Sequence, residues 1–363
     1  MLSVHLESLL VTHFKNYAHH RIELSPRLNG LVGPNGTGKT NLLEAVHVLC
    51  LTRSYRGLSD RYLVQRGADF YRIEGLFRRN DEPERIAVKY DGRRKEVVRD
   101  GVPYERLTDY IGRFPVVMIS PDDIALIREG SEERRRLMDV TLCQLSPNYL
   151  HQLTVYTSLL KQRNALLKAF AEQRRFDALL LDAFDRQMAA SAVVLWQERR
   201  SFAQTLSPIF QSIYAEIAGP AEAAALHLEV GNSSNDFLAE LAAYRERDRA
   251  LQRTTVGPHR DDLELTLDGQ PVKKYASQGQ MKSFLLALRL SQYEILRQEK
   301  HLPPLLLLDD IFDKLDEQRV QRLIDLLWRR NFGQIFITDT HRPRLEGVVK
   351  AFGTDYRIYA TGS

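Results

Sequence analysis

Cysteine and long apolar runs are the scarcest features of this 363-residue sequence. Its two cysteines, Cys50 and Cys143, are too few for a disulfide framework or a four-ligand zinc site. No apolar run is long enough to cross a bilayer, so we expect no transmembrane span and no membrane partner. The first residues lack the basic start and cleavage site of a signal peptide, which favours a cytoplasmic protein.

A strong excess of charge of one sign is also missing. The chain has 51 Lys and Arg against 47 Asp and Glu, a formal net charge of +4, so charge alone does not establish nucleic-acid binding. Arginine supplies 39 of the 51 basic residues. Its guanidinium suits bidentate phosphate contacts, although compositional bias of the genome explains the same excess. Length and composition predict a folded chain of two domains or slightly more.

A glycine-rich loop lies between a short apolar run and a helical pattern. The loop Gly33 to Thr40 (GPNGTGKT) fits G-x-x-x-x-G-K-[ST], whose glycines let backbone N–H groups converge on phosphate oxygens. In this motif Lys39 reaches the β- and γ-phosphates, and Thr40 holds Mg²⁺. The sequence therefore predicts a site for a nucleoside triphosphate with Mg²⁺.

A second motif is acidic and follows a run of four leucines, Leu305 to Leu308. This run indicates a buried parallel strand. Asp309 is predicted to bind Mg²⁺, and Asp310 to position the attacking water. Lys39 and Asp309 are 270 residues apart, so a large insert separates the two halves of one site. The helical middle of the chain is that insert.

The segment Ser277 to Gln280 (SQGQ) opens a predicted helix 32 residues before Asp309. A serine and glycine at a helix N-terminus form a second anion site, which one nucleotide does not need. Two interpretations remain open: an ordinary N-cap, or a contact from Ser277 to the γ-phosphate held by a second copy of the chain.

The order of elements predicts an α/β head that is split in sequence by a helical lobe. Its first part spans residues 1–125 and includes a β-rich subdomain at about 65–115. The lobe spans 126–250, and the second part of the head spans 251–363 with the serine motif and the acidic strand end.

This order resembles the ABC-type P-loop ATPases of the SMC kind. Lys314 to Asp316 looks like their D-loop, and His341 like their switch histidine, although a plain loop histidine stays open. The closer resemblance is to the RecF family of bacterial recombination mediators. It is carried by these segments: His13–Tyr17, Gly33–Ala45, Arg53–Arg56, Ser120–Asp123, Gly257–Asp262, Ala276–Ser291 and Leu305–Asp316. Three features depart from the patterns: Lys15 replaces a more frequent arginine, Gln278 replaces the signature glycine of transporters, and no glutamine marks the Q-loop.

The resemblance implies that ATP closes a homodimer and that each nucleotide lies between the phosphate loop of one subunit and Ser277 of the other. The dimer would bind double-stranded DNA and single-strand/double-strand junctions, act with RecO and RecR in loading RecA, and reset by slow, DNA-dependent ATP hydrolysis. Catalytic roles fall to Lys39, Ser277 and Asp310. The nucleotide contacts that the family pattern implies are Lys15, Asn16, Gly33, Pro34, Asn35, Gly36, Thr37, Gly38, Lys39, Thr40, Asn41, Ser277, Gly279, Gln280 and His341.

Two sets of arginines are candidates for DNA contacts: Arg53, Arg56, Arg61 and Arg66 near the N-terminus, and the run Arg134, Arg135 and Arg136. A solvated helix face explains such a run equally well. Two other functions remain as alternatives. The signature motif alone permits an ATPase subunit of an ABC-type transporter, and the phosphate loop alone permits a kinase-type phosphotransferase.

Overall fold

The structure, a computed structural model, describes residues 3–231, 236–312, 317–350 and 355–362. The chain forms two compact units. Unit 1 comprises Met1–Ile124, Ile209–Glu222 and Ala276–Ser363, and unit 2 comprises Ala125–Pro208 and Ala223–Tyr275. The predicted boundary at 250/251 therefore lies inside unit 2, because the strand and helix that follow it pack with the lobe. Lys314 to Asp316, the predicted D-loop, lies outside the described residues.

Unit 1 contains both strands and helices, and unit 2 is mainly helical. In chain order the strands are β1 (Val4–Phe14), β2 (Tyr17–Glu23), β3 (Leu28–Val32), β4 (Tyr71–Arg79), β5 (Glu82–Tyr90), β6 (Lys95–Arg99), β7 (Val102–Pro103), β8 (Val116–Ile119), β9 (Ala224–Glu229), β10 (Asp262–Leu267), β11 (Gln270–Pro271), β12 (Leu305–Leu308), β13 (Ile335–Asp339) and β14 (Tyr356–Ala360). The helices are α1 (Lys39–Leu51), α2 (Ala125–Arg128), α3 (Ser131–Leu145), α4 (Pro147–Gln173), α5 (Ala178–Ala218), α6 (Phe237–Ala243), α7 (Arg245–Leu251), α8 (Val272–Tyr275), α9 (Gln278–Lys300), α10 (Glu317–Arg329) and α11 (Arg342–Lys350).

A five-stranded parallel sheet forms the centre of unit 1, in the order β14-β3-β13-β12-β8. The strands β3, β8, β12 and β13 are buried along their whole length, which is why they read as continuous apolar runs in the sequence. Because parallel strands end at the same edge, the loops after β3, β12 and β13 meet there. This edge holds the candidate site.

A six-stranded antiparallel sheet in the order β2-β1-β4-β5-β6-β7 makes up the β-rich part of unit 1. Asn80 and Asp81 join β4 to β5, and Asp100 and Gly101 join β6 to β7. All four have positive φ, between 50° and 88°, as two-residue hairpin turns require. Both connections are therefore tight two-residue hairpin turns.

Unit 2 is built from the helices α3, α4 and the first part of α5, with a small sheet in the order β11-β10-β9. Ser146 caps α4 through its side chain and Pro147 occupies the first turn, and both residues favour a helix start at this position. Two fully buried arginines, Arg163 and Arg199, lie in its core, each paired with two aspartates. Within the described part of the chain, no helix is long and apolar enough to cross a membrane.

Candidate nucleotide-binding site

The glycine-rich loop runs from the end of β3 to the start of α1, as the sequence predicts. Gly36 and Gly38 have φ of 83° and 104°, a conformation that residues with a Cβ adopt only with strain. At Gly33 a Cβ would lie 2.5 Å from the carbonyl oxygen of Thr361, because β14 runs close alongside. The glycines therefore fit a tight turn at the positive end of α1, which is a favourable place for phosphate groups.

Lys39 is the first residue of α1 and its side chain lies along the loop. The side chain is almost fully buried, and its ammonium donates to the carbonyl oxygens of Gly33 (2.6 Å) and Pro34 (2.9 Å). The loop therefore presents a positive charge at its centre. A phosphate within the loop would be an anionic partner for this charge.

Thr40 and Asp309 meet at the sheet edge. The Thr40 hydroxyl lies 2.8 Å and 2.9 Å from the two carboxylate oxygens of Asp309, and the Thr338 hydroxyl donates to the same carboxylate at 2.8 Å. Burial raises the pKa of Asp309, and these hydrogen bonds oppose that rise. No lysine or arginine in the described ranges forms an ion pair with Asp309. A buried carboxylate beside a hydroxyl is an oxygen donor set that fits Mg²⁺.

Asp310 follows in the left-handed region, with φ of 47°. Its backbone N–H donates to the Thr338 hydroxyl at 2.9 Å. Thr338 therefore fixes both aspartates of the acidic strand end, a role that sequence reasoning missed. The sequence signal for this role is the position of Thr338 near the end of β13, the strand that pairs with β12.

The hairpin tip between β1 and β2 packs on the phosphate loop. Asn16 donates to the carbonyl oxygen of Thr37 (3.3 Å) and accepts from Asn41 (2.8 Å). A Cβ at Gly38 would lie 2.5 Å from Asn16 Nδ2 and 2.6 Å from the Tyr17 hydroxyl. Asn16 and Asn41 thus lie together at the loop, where the family pattern implies nucleotide contacts. Tyr17 also packs against the loop, although the sequence did not predict it as a site residue.

The Lys15 side chain has an ion-pair partner within the protein. Its ammonium forms an ion pair with Glu44, which is 1% exposed and also accepts from the Ser54 hydroxyl. The structure therefore uses Lys15 to tie the hairpin tip to α1. The sequence signal for Glu44 is its position as a charged residue within the apolar helical stretch Leu42 to Leu51.

Ser277 is an exposed N-cap of α9. Its hydroxyl accepts from the backbone N–H of Gln280 (3.2 Å), and the Gln280 side chain accepts from the Ser277 N–H (2.7 Å), which completes a capping box. The cap interpretation is confirmed, and the capped helix end is exposed. Gly279 leaves room for Arg319, whose Nη1 would lie 2.0 Å from a Cβ there.

His341 lies after β13, also at the sheet edge. Its backbone N–H donates to Asp339 (2.7 Å), and Asp339 is held bidentately by Arg344 at 2.6 Å and 2.7 Å. The imidazole is exposed. Position and exposure are compatible with the predicted switch role and with a plain loop histidine.

The arginines predicted to contact DNA divide into two groups. Those before residue 70 are exposed, and Arg56 pairs with Asp122 at 3.0 Å. In unit 2, Arg134 binds Asp262 bidentately at 2.7 Å and 2.8 Å, and Arg135 donates to the Asp261 carbonyl at 2.8 Å. Arg136 lies 3.7 Å from Glu133. Internal partners thus occupy Arg134 and Arg135, which are poorly placed for a phosphate backbone.

A parallel-sheet head that carries a phosphate loop and an acidic strand end, with a helical lobe inserted between them, defines the SMC-like class of ABC-type ATPases. The family model described as RecF/RecN/SMC N terminal domain matches residues 5–359. Proteins named DNA replication and repair protein RecF from Flavobacterium johnsoniae and Porphyromonas gingivalis are 39% and 40% identical, each over 98% of this chain and 99% and 97% of their own length. The chain belongs to the RecF family.

Solved structures agree. The recombination mediator protein RecF in its RecF-ATP form, from the RecFOR pathway, superposes with a TM-score of 0.86 at 29% identity, over 94% of this chain and 93% of that one. A Pyrococcus furiosus Smc head superposes with a TM-score of 0.53 at 19% identity, over 94% of this chain and 91% of that one, a likeness of fold alone.

Proposed function

We propose that this protein is an ATP-dependent DNA-binding clamp of recombinational DNA repair. The observation that carries the proposal is the meeting of Thr40, Asp309 and Thr338 beside the buried Lys39. This arrangement supplies the positive charge and the oxygen donors that a nucleoside triphosphate with Mg²⁺ requires. Mg²⁺ held by Thr40 and Asp309 would neutralise charge on the β- and γ-phosphates.

The proposed clamp is a homodimer that ATP closes. Lys39 binds the phosphates within one subunit, and the exposed helix end at Ser277 contacts the γ-phosphate held by the other. The exposure of Ser277 supports this, because a capped helix end pointing into solvent can meet a second copy of the chain. Asp310 positions the attacking water, and its backbone is fixed by Thr338. Hydrolysis then removes the contact that holds the subunits together.

An exposed loop in unit 1 is the proposed DNA-contacting surface. Arg61 and Arg66 are exposed, and Tyr62 between them is 71% exposed. The loop is held in place from beneath, because Asp60 accepts from Lys95 at 2.8 Å and from the Tyr71 hydroxyl at 2.6 Å. Two exposed guanidinium groups suit phosphate contacts, and an aromatic ring offers a face to an unpaired base at a junction.

The finer parts of the proposal concern partners and rate. The relatives act in DNA replication and repair, and solved neighbours in the RecFOR pathway. We therefore extend the proposal to joint action with RecO and RecR in loading RecA at gapped DNA, with slow, DNA-stimulated hydrolysis as the reset. No contact in the described residues favours the transporter or kinase alternatives.

The test is ATP-dependent dimerisation measured by sedimentation, with DNA binding measured in parallel. Wild type is expected to dimerise on adding ATP with Mg²⁺ and to bind duplex and gapped DNA more tightly in that state. Lys39→Met removes the response by weakening ATP binding, and Ser277→Arg removes it while ATP still binds. Asp310→Asn is expected to stay dimeric and DNA-bound. A wild-type protein that binds ATP yet stays monomeric on DNA contradicts the proposal.

A further inference from the structure

Three segments that carry the family resemblance meet at one buried point of unit 1, through residues that have no role in the site so far. They are the loop after α1 with Tyr55, the turn after β8 with Asp123, and α9 with Arg289. The Arg289 guanidinium donates to the Asp123 carboxylate at 2.6 Å and to the Tyr55 hydroxyl at 2.9 Å. Tyr55 donates in turn to the same Asp123 oxygen. We call these three residues the Tyr55–Asp123–Arg289 cluster.

The cluster is desolvated and geometrically defined. Asp123 and Arg289 are 6% and 8% exposed, and the second oxygen of Asp123 accepts from the Ser120 N–H at 2.9 Å. Arg289 also donates to Gln292 at 3.0 Å. A buried ion pair is a poor source of net stability, because desolvation offsets most of its attraction. Its geometry is nevertheless specific, so it suits a role in positioning.

The turn that holds Asp123 is joined to the Mg²⁺ ligand set. The backbone N–H of Asp309 donates to the carbonyl oxygen of Ile119 at 2.8 Å, and the turn starts at the next residue, Ser120. In the family pattern this turn lies at the approximate position of the Q-loop, and it contains no glutamine. One hydrogen bond and four residues of chain therefore connect Asp309 to Asp123.

Tyr55 and Arg289 lie on the chain near two other parts of the site, Lys39 and Ser277. Tyr55 lies four residues after α1, the helix that begins at Lys39. Arg289 lies twelve residues after the cap Ser277 on the same helix, α9, which places it about 18 Å along the axis. A helix is stiff over this distance, so a constraint on Arg289 sets the direction in which Ser277 is presented.

We propose that Tyr55, Asp123 and Arg289 are positioning residues that couple the nucleotide site of a subunit to the presentation of Ser277 by that same subunit. ATP and Mg²⁺ act on Lys39 and Asp309, and the cluster transmits their arrangement to α9. The inference rests on the proposed ATP-dependent dimer. It differs from a role in folding alone because it places the effect in the coupling between ATP binding and dimerisation.

Arg289→Met tests the proposal, since methionine keeps an unbranched side chain and removes the charge and donors. Arg297→Met is the matched control, on the same helix eight residues later, where Arg297 pairs with Glu294 at 2.6 Å. Both variants and wild type are compared by ATP affinity of the monomer and by the ATP-dependent dimerisation constant. We expect Arg289→Met to keep its ATP affinity within about twofold and to dimerise about tenfold or more weakly, with Arg297→Met unchanged in both.

If Arg289→Met folds poorly, a milder variant and a double-mutant cycle test the same proposal. Tyr55→Phe leaves the ion pair in place and removes one donor, and it is expected to weaken dimerisation by a smaller factor. Combining it with Asp123→Asn in a double-mutant cycle should give a coupling term in dimerisation that thermal unfolding does not reproduce.

The outcomes separate the two proposals. If wild type binds ATP and does not dimerise, the proposed function fails. If wild type dimerises and the folded cluster variants dimerise equally well while only their unfolding temperature falls, the coupling role is overturned and the clamp stands. Loss of monomer ATP affinity in Arg289→Met also overturns it, because the effect would then lie in nucleotide binding.

Discussion

The Thr40 hydroxyl lies within 2.9 Å of both carboxylate oxygens of Asp309, although 269 residues separate the two positions in sequence. Most of the chain between them belongs to unit 2, whereas both residues belong to unit 1. Burial raises the pKa of Asp309 because the carboxylate is held away from water. A cation at this position would stabilise the charged form.

Asp309→Asn is therefore expected to abolish Mg²⁺-dependent ATP binding. The amide keeps the size of the side chain and removes the charge, so ATP affinity in Mg²⁺ should fall about tenfold or more and become equal to the affinity in EDTA. Titration of a fluorescent ATP analogue measures this. Asp310→Asn is the control and should keep the Mg²⁺ dependence. Retained dependence in Asp309→Asn would show that the metal is held elsewhere.

Gly38→Ala is expected to damage the loop more than its backbone strain alone explains. The new Cβ would lie 2.5 Å from Asn16 Nδ2 and 2.6 Å from the Tyr17 hydroxyl, so the hairpin tip must move. We expect a clear loss of ATP affinity and a loss of about 1–3 kcal/mol in unfolding free energy. Gly67→Ala is the matched control, since Gly67 has φ of 88° with open space around it. Equal ATP affinity in both variants would rule out a role for the packing.

Arg199→Met is expected to destabilise unit 2 by about 3–5 kcal/mol, because it leaves the buried carboxylate of Asp261 without its cation. Arg199 lies 2.6 Å from Asp261 and 2.8 Å from Asp139. Urea unfolding followed by circular dichroism measures the loss. Arg200→Met, at the next and exposed position of α5, should change stability by about 0.5 kcal/mol or less. Similar effects of the two substitutions would contradict the assignment.

Local sequence patterns predicted the nucleotide site better than they predicted the packing of the lobe. The spacing of Gly33, Lys39 and Thr40, and the aspartates after four leucines, are local patterns with one chemical explanation, and they predicted the sheet edge correctly. Arg163 and Arg199 gave no such signal, because an arginine is almost always exposed and only tertiary packing reveals its buried partners.

The domain boundary shows the same limit. β10 has the pattern of an ordinary amphipathic strand, and the return of strands after the helical segment predicts that it belongs to the head. Its register is set by β9, about forty residues earlier, with pairs from Asp262 opposite Glu229 to Leu267 opposite Ala224. Which sheet a strand joins is a long-range choice, so composition alone could not place it.

His259 is expected to make the protein less stable as the pH falls below about 6.5. Burial lowers its pKa to about 4, and its ring lies between the Tyr156 hydroxyl (2.7 Å) and the Thr254 carbonyl (3.1 Å). Between these pH values the unfolded chain binds a proton that the folded chain excludes. The stabilising difference is therefore lost on acidification, with an upper limit of about 3 kcal/mol.

The measurement is the unfolding free energy at several pH values between 7 and 4.5. His259→Gln should reduce the pH dependence relative to wild type, whatever its effect at pH 7. His227→Gln, at an exposed position of β9, is the control and should leave the dependence unchanged. Parallel curves for wild type and His259→Gln would mean that another group dominates acid unfolding.

The proposed DNA surface makes a prediction about salt. Arg61 and Arg66 are exposed and form no ion pair within the described residues, so each is available for one phosphate. Each phosphate contact contributes about 0.9 to the slope of log binding constant against log salt concentration for duplex DNA. The double variant Arg61→Met/Arg66→Met should therefore lower that slope by about 2, at unchanged ATP-dependent dimerisation.

Arg342→Met is the matched control, because Arg342 is an exposed arginine of the same unit that already pairs with Glu346 at 2.8 Å. It should leave the slope unchanged. Fluorescence anisotropy with a labelled duplex at four or more salt concentrations measures all three proteins. Wild-type slope in the double variant would place the DNA contacts on another face, since neutralising two phosphate ligands cannot leave counterion release unaltered.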